Sequence, residues 1–281
     1  ADKVARDKSV RHPALVLDQE GNPVLAWSSS LDWTLPTSVY VRAWVGSEWV
    51  PVGGGRPNAG ISETAFSPSL AWDAEGRLLA AWAGSKSGTG ASDVFVARYS
   101  GSAWEPLGGP LSAYVGVTNA GTPTIAVDGT GSPVVAWVEK YGNGTKLIVR
   151  RWHAGGWHPM GSPLLPPEPD IGGAAQPLLR TNAAGNLWLA ARLSGVPGVE
   201  AAHAAFFAWD GNDWVRAADP IPLASDSGAR TVFAVDQAGT LYTAWRERRK
   251  NGIYNPYNII VARWDGDQWA PLGDPLIADW A

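Results

Sequence analysis

The side chains able to do acid–base, nucleophilic or metal chemistry are few and scattered. There is no cysteine, which removes thiol nucleophiles, disulfide frameworks and cysteine-based zinc or iron–sulfur sites. Of the four histidines, His12, His153, His158 and His203, only His153 and His158 are close, and their spacing is not that of a helical His-x-x-x-His zinc pair. No Gly-x-Ser-x-Gly elbow is present to raise a nucleophilic serine. The one dense run of charge, Arg246-Glu-Arg-Arg-Lys250, could grip a carboxylate or phosphate, with Glu247 also able to pair within the run. Carboxylates at Glu63, Glu168, Asp170 and Asp226 sit outside any motif. No cofactor and no metal site is expected.

What must position these residues is read from the composition. The chain has 281 residues, 45% hydrophobic and 17% charged, with 33 Gly and 22 Pro. That is apolar enough for a sizeable core, with about one residue in five a turn former. A net charge of −4 gives no electrostatic footprint for nucleic acid. No apolar run approaches the roughly 18 residues of a membrane helix, so no membrane insertion is expected. The outlier is tryptophan, 17 copies against a single methionine.

Those tryptophans belong to a fivefold repeat. Pro68-Ser-Leu-Ala-Trp-Asp-Ala-Glu-Gly76 recurs at Pro13–Gly21, Pro123–Gly131, Pro177–Gly185 and Thr231–Gly239. Its acidic or amide residue falls at Asp18, Asp73, Asp128, Asn182 and Asp236, in steps of 55, 55, 54 and 54. Trp27, Trp82, Trp137, Ala191 and Trp245 come six residues after each Gly. An aromatic follows at Trp44, Tyr99, Trp152, Trp209 and Trp264, and five residues later Trp49, Trp104, Trp157, Trp214 and Trp269. Thirteen tryptophans are thus framework, which leaves Trp33, Trp72, Trp188 and Trp280 outside the register.

Each copy predicts four short antiparallel strands. The first, of the Ser69–Trp72 type, ends in an Asp-x-x-Gly turn, with Asp first and Gly fourth as a type I turn prefers. One carboxylate per turn cannot assemble a calcium site, so these turns are structural. The second strand holds alanine at Ala26, Ala81, Ala136, Ala190 and Ala244, which predicts close approach of a neighbouring sheet. The third is rich in Val, Ile and Phe, and the fourth begins at the second tryptophan of the pair. The expected fold is all-β: a single five-bladed β-propeller domain over 1–281, with about 55 residues and four antiparallel strands per blade. The blades fall near 13–55, 68–110, 123–163, 177–219 and 231–273, with tails at 1–11 and 274–281.

The pattern Asp73-x-x-Gly76-x-x-x-x-Ala81-Trp82, followed by the paired aromatics and a Leu-Gly-Gly ending, resembles bacterial secreted propeller repeats of the sialidase-like and lectin-like superfamilies. In blade number and tryptophan use it is similar to the five-bladed tachylectin-type lectins. The resemblance implies a rigid scaffold that binds through its loops.

Connections between the second and third strands, and between repeats, are long and differ in every copy, so the binding face is expected there. Aromatic and basic candidates on it are Trp33, Tyr114, Tyr141, Arg246, Tyr254 and Tyr257, which could stack a sugar or anchor a protein. The fourth repeat is the divergent one, with Asn182 for Asp and Ala191 for Trp. Its approach, Leu164-Leu-Pro-Pro-Glu-Pro-Asp170, puts Leu164 and Leu165 on a proline-stiffened loop suited to a protein partner or a second copy of the chain. The predicted innermost strands carry no carboxylate before their turn residue. The expectation is therefore a non-enzymatic extracellular binding or assembly module for a protein or a glycan; the alternative is a lectin with sites on its loops or a glycosidase. The start at Ala1 is that expected of an exported bacterial protein after removal of a signal peptide.

Overall fold

A computed structural model describes residues 9–30, 36–85, 90–113, 115, 117–141, 144–161, 173–194, 202–223, 231–248 and 257–276. The described regular structure is β-strand, apart from one short 3-10 turn at Gly53–Gly55. The chain divides into two compact units, one of residues 1–141 with 147–160 and one of 142–146 with 161–281.

The first unit holds three antiparallel meanders. The first is β1 (Ser9–Leu17), β2 (Pro23–Ser30), β3 (Ser38–Val45) and β4 (Glu48–Pro51). The second is β5 (Phe66–Trp72), β6 (Leu78–Gly84), β7 (Asp93–Tyr99) and β8 (Trp104–Pro106). The third is β9 (Ala120–Val127), β10 (Pro133–Tyr141), β11 (Gly144–His153) and β12 (Gly156–Pro159), whose β11 begins in the other unit. The second unit holds β13 (Gly173–Thr181), β14 (Leu187–Ser194), β15 (His203–Trp209) and β16 (Trp214–Pro222), then β17 (Thr231–Val235), β18 (Leu241–Arg248), β19 (Tyr257–Trp264) and β20 (Trp269–Pro271).

Four strands per sheet holds for three sheets, while β9 to β16 form a single sheet of eight. Two meanders are joined there by one parallel pair, Thr145 with Gly173. The cause is local: the Thr145 hydroxyl donates to the Ala174 carbonyl at 2.7 Å. A Cβ on Gly173 would stand 2.9 Å from that hydroxyl, so only glycine admits the approach.

The first-to-second strand turns form as the Asp-x-x-Gly spacing predicts. In the first, Gly21 N–H donates to Asp18 O, and Gly21 has φ 84°. The Asp18 carboxylate also accepts from the backbone of Glu20 and Asn22. Asp73, Asp128 and Asn182 repeat this, and Asp236 accepts from Thr240 N–H. Each side chain thus serves its own turn. Asp73 is further paired with Arg77 and Arg98 at 2.8 and 3.1 Å, and Asp128 with Arg151 at 2.7 Å.

Core packing lies between neighbouring meanders. Ala26, Ala81 and Ala136 are buried completely, which lets adjacent sheets close on Trp82 and Trp137, themselves without solvent exposure. One cluster joins Val24, Val39 and Val41 to Leu70, Ala80, Trp82 and Phe95. A second joins Leu79, Val94 and Leu107 to Ile125, Val135 and Trp137. In the second unit Leu241, Phe206 and Phe233 do the same work, with Trp188 and Trp245 against them. Trp72 also crosses between repeats, its indole N–H donating to the Leu17 carbonyl at 2.7 Å.

Candidate functional site

In every meander the short turns lie at one end of the strands and the long connections at the other. At the long-connection end, the first strand of four repeats carries the same irregularity. His12, Ser67, Thr122 and Gln176 have φ of 53, 52, 45 and 54°, each just before Pro13, Pro68, Pro123 and Pro177. The ladder register shifts there between Arg11 and Ala14, Phe66 and Ser69, and Ala175 and Leu178, and between Ala136 and Val138 on β10 opposite β9. These are β-bulges. Proline has no N–H to give the ladder, and an extra residue absorbs the mismatch in the left-handed region. β17 has Thr231 where the others have proline, and pairs with β18 without a shift.

A bulge re-aims its side chain, and a left-handed conformation at a residue other than glycine costs of order 1 kcal/mol. Four polar side chains are therefore set at the head of the first strands by backbone strain. His12 Nδ1 lies 3.2 Å from Ser28 Oγ, which donates to the Arg11 carbonyl and braces the bulge.

Two buried carboxylates stand at the same end of the first unit. Asp93 opens β7, and its Oδ1 accepts from Ser112 Oγ at 2.7 Å. Glu139, near the end of β10, accepts from Ala113 N–H at 2.9 Å, Trp137 Nε1 at 3.1 Å and Thr118 Oγ1. Ser112 and Ala113 are consecutive, so both carboxylates pull on one connection, that between β8 and β9. The sequence reading missed both, having looked for acids on the first strand of each repeat. The available signal was Glu139 two residues after a framework tryptophan, where the first three repeats have Ser29, Gly84 and Glu139. Glu63, in the connection before β5, is exposed at this end, its backbone N–H bonded to Ser85 O.

In the second unit the same end carries Arg192 on β14 and Arg246 on β18, both half-buried and at equivalent positions of consecutive repeats. Arg192 Nε is buried without a hydrogen-bond partner. Arg180 lies near the opposite end, its guanidinium 6.0 Å from the Phe233 ring centroid and donating to the Leu179 carbonyl.

Of the sequence candidates, Arg246 is placed within β18, opposite Ile259. Tyr141 is the last residue of β10, and Tyr257 the first of β19, opposite Arg248. Trp33, Tyr114, Leu164, Leu165 and Tyr254 lie outside the described residues, as do Glu168, Asp170 and Asp226. No helix among the described residues is long and apolar enough to cross a membrane.

No protein-family model matches the sequence. No curated protein matches it either. The fold, by contrast, has many counterparts. The chain is similar to a Hadza microbial sialidase with a TM-score of 0.56 and 15% identity, covering 94% of this chain and 58% of that one. It is similar to a thermostable family-43 glycoside hydrolase with a TM-score of 0.52 and 12% identity, over 97% and 96% of the two chains. A polysaccharide lyase, an ulvan lyase, gives 0.59 and 12%, over 94% and 69%.

These findings correct one expectation. The absence of an acid on the first strands argued for a module without enzymatic activity; the folds that the chain matches are those of glycoside hydrolases and a polysaccharide lyase. The buried acids stand on the second and third strands of their repeats, Glu139 on β10 and Asp93 on β7. At these identities the likeness establishes architecture: the protein has an all-β, β-propeller fold whose repeats are antiparallel meanders of four strands, two of them joined in one sheet.

Proposed function

We propose that the chain is a five-bladed β-propeller, with blades near 13–55, 68–110, 123–163, 177–219 and 231–273, that binds and cleaves a polysaccharide at its long-connection end. The observation that carries this reading is the row of bulges. Three repeats of the first unit use backbone strain to set His12, Ser67 and Thr122 at the head of their first strands, at the end that also holds Asp93 and Glu139, and Gln176 is set in the same way in the second unit. Strain of this kind gathers at ligand sites. Polar groups so fixed suit the hydroxyl-rich surface of a sugar chain. The chain is similar in fold to a sialidase, a family-43 glycoside hydrolase, an endo-arabinase and an ulvan lyase, and this supports a glycan as the class of substrate.

Cleavage of a glycosidic bond needs a group that gives a proton to the leaving oxygen or takes one from the ring, and in most glycoside hydrolases that group is a carboxyl. Asp93 and Glu139 are occupied by the β8–β9 connection and act as positioning residues. Glu63, exposed at that end of the first unit, is the carboxylate assigned to contact substrate. Tyr141 of the third repeat, and Arg246 and Tyr257 of the fifth, are assigned to sugar binding at the same end of their own repeats, and a polymeric substrate would be met outside the cell.

The test is a panel of sialylated glycan, arabinan, levan and ulvan, read for new reducing ends and for the ultraviolet absorbance of an unsaturated product. Product from one member, reduced at least a hundredfold in Glu63→Gln, is the expected result. No product and no binding to any member overturns the reading.

A further inference from the structure

Within the second unit, the joint between the fourth and fifth repeats departs from the repeat pattern on both of its sides. The position held by Pro13, Pro68, Pro123 and Pro177 is Thr231 in the fifth repeat. The position after the framework tryptophan, held by Ser28, Ala83 and Val138 in the first three repeats, is Arg192 in the fourth. An uncharged side chain and a proline are thus exchanged for a guanidinium and a hydroxyl.

Pairing and packing bring these two together. Arg192 pairs with Ala204 of β15, and cross-strand partners share a face of the sheet. Ala204 is buried in one cluster with Ala190, two residues before Arg192, and with Phe233 of β17. Side chains two apart on a strand also share a face, which puts Thr231 on the face of Phe233. β14 runs toward the long-connection end and β17 away from it, and the two strands touch. From the packed level of Ala190 and Phe233, Arg192 and Thr231 therefore both lie two residues nearer that end.

Neither polar group is satisfied. Arg192 Nε and Thr231 Oγ1 are both buried without a hydrogen-bond partner. Arg180 enters the same joint from the other end, its guanidinium over the Phe233 ring. Among the described residues no carboxylate pairs with either arginine; the ion pairs of Arg77, Arg98 and Arg151 all lie in the first unit. A bridging water would meet the hydrogen bonds but not the charge, and a guanidinium held against an apolar cluster needs a countercharge. Arg192 and Thr231 each keep part of their surface in solvent, so an ion has a way in.

We propose that this joint is an oxyanion site: the Arg192 guanidinium and the Thr231 hydroxyl donate to one carboxylate or sulfate group, which supplies the charge that the joint lacks. The site stands apart from the polysaccharide reading, since a free anion and an acid group carried on a glycan present the same chemistry.

Inorganic sulfate is the probe. Titration calorimetry at constant ionic strength should show one saturable site per chain in the wild type, at least tenfold weaker in Arg192→Met and several-fold weaker in Thr231→Val. Arg192→Met keeps a long apolar stem and removes the unpaired charge, so in low-salt buffer it should melt above the wild type. Sulfate stabilises folded proteins generally, but it should raise the wild type by more than the variant. A glucuronate-bearing oligosaccharide that displaces sulfate at lower concentration than glucuronate itself assigns the group to a glycan, and equal displacement assigns it to the free ion; either result keeps the anion in the joint. No saturable binding of sulfate or glucuronate by the wild type overturns the proposal, as does equal binding by Arg192→Met.

Discussion

The indole N–H of Trp104 donates to the carbonyl of Val52 at 3.0 Å, across 52 residues of sequence. Trp157 does the same to Leu107, and Trp269 to Asp219 at 2.8 Å. In the second, third and fifth repeats the hairpin tryptophan therefore fastens its repeat to the one before it. Trp104→Phe keeps an aromatic ring of smaller volume and deletes the donor, leaving the Val52 carbonyl without it. A loss of about 1 kcal/mol is expected, and about 3–5 kcal/mol for Trp104→Ala, where the cradle at Gly53, in which the Tyr99 and Trp104 rings fill the place of a Cβ, also empties. Denaturant unfolding measures both; no loss in Trp104→Phe would contradict a role for the bond, and equal losses in the two variants would contradict a separate role for the packing.

Thr122 is β-branched, exposed and held at φ 45°. Thr122→Gly should raise stability by about 1 kcal/mol, because glycine adopts that conformation without strain. A melting temperature that falls instead would mean that the bulge is not strained.

Glu139→Gln places an amide donor against Ala113 N–H, Thr118 Oγ1 and Trp137 Nε1, all of which donate. An unsatisfied buried group costs about 1–3 kcal/mol, so hydrogen exchange at Ala113 should accelerate roughly tenfold or more. Protection equal to wild type would sink the clamp.

Acid should loosen the third-to-fourth strand turns. The backbone N–H groups of Asp213 and Asn212 hold the Asp210 carboxyl below its ordinary value, and those of Gln268 and Asp267 do so for Asp265. A carboxyl depressed by folding contributes stability that is present above its unfolded value and lost as pH falls through the folded one, here below about pH 4. In Asp210→Asn, Asp265→Asn the cap persists without the titration. The fall in melting temperature below pH 4 should be shallower in that variant, and an identical slope would refute the assignment.

What the sequence made legible was whatever recurs. Asp18, Asp73 and Asp128 sit at fixed steps, and their turns are local hydrogen bonds within four residues. Ala81 and Ala136 announce close sheets because volume is conserved at a repeat position. The bulges at His12 and Ser67 recur too, each just before a proline, but a proline marks a strand's edge or first residue as readily as a bulge, and the register of the neighbouring strand decides between them. Glu139 was missed for a related reason: Ala113, which it holds, is 26 residues away in a connection unlike its counterparts. The Thr145–Gly173 pair that merges two sheets is likewise a single meeting of two dissimilar segments.

The reach of Trp104 back to Val52 also sets an order of events during synthesis. The Gly53 cradle leaves the ribosome with nothing to hold, and its ring is translated only 52 residues later. At bacterial and eukaryotic elongation rates that interval is roughly 3–10 s. Through it the Gly53 notch stands open until the second repeat is made, and the Gly108 notch until the third, so in this part of the chain the growing end is the part in need of shielding.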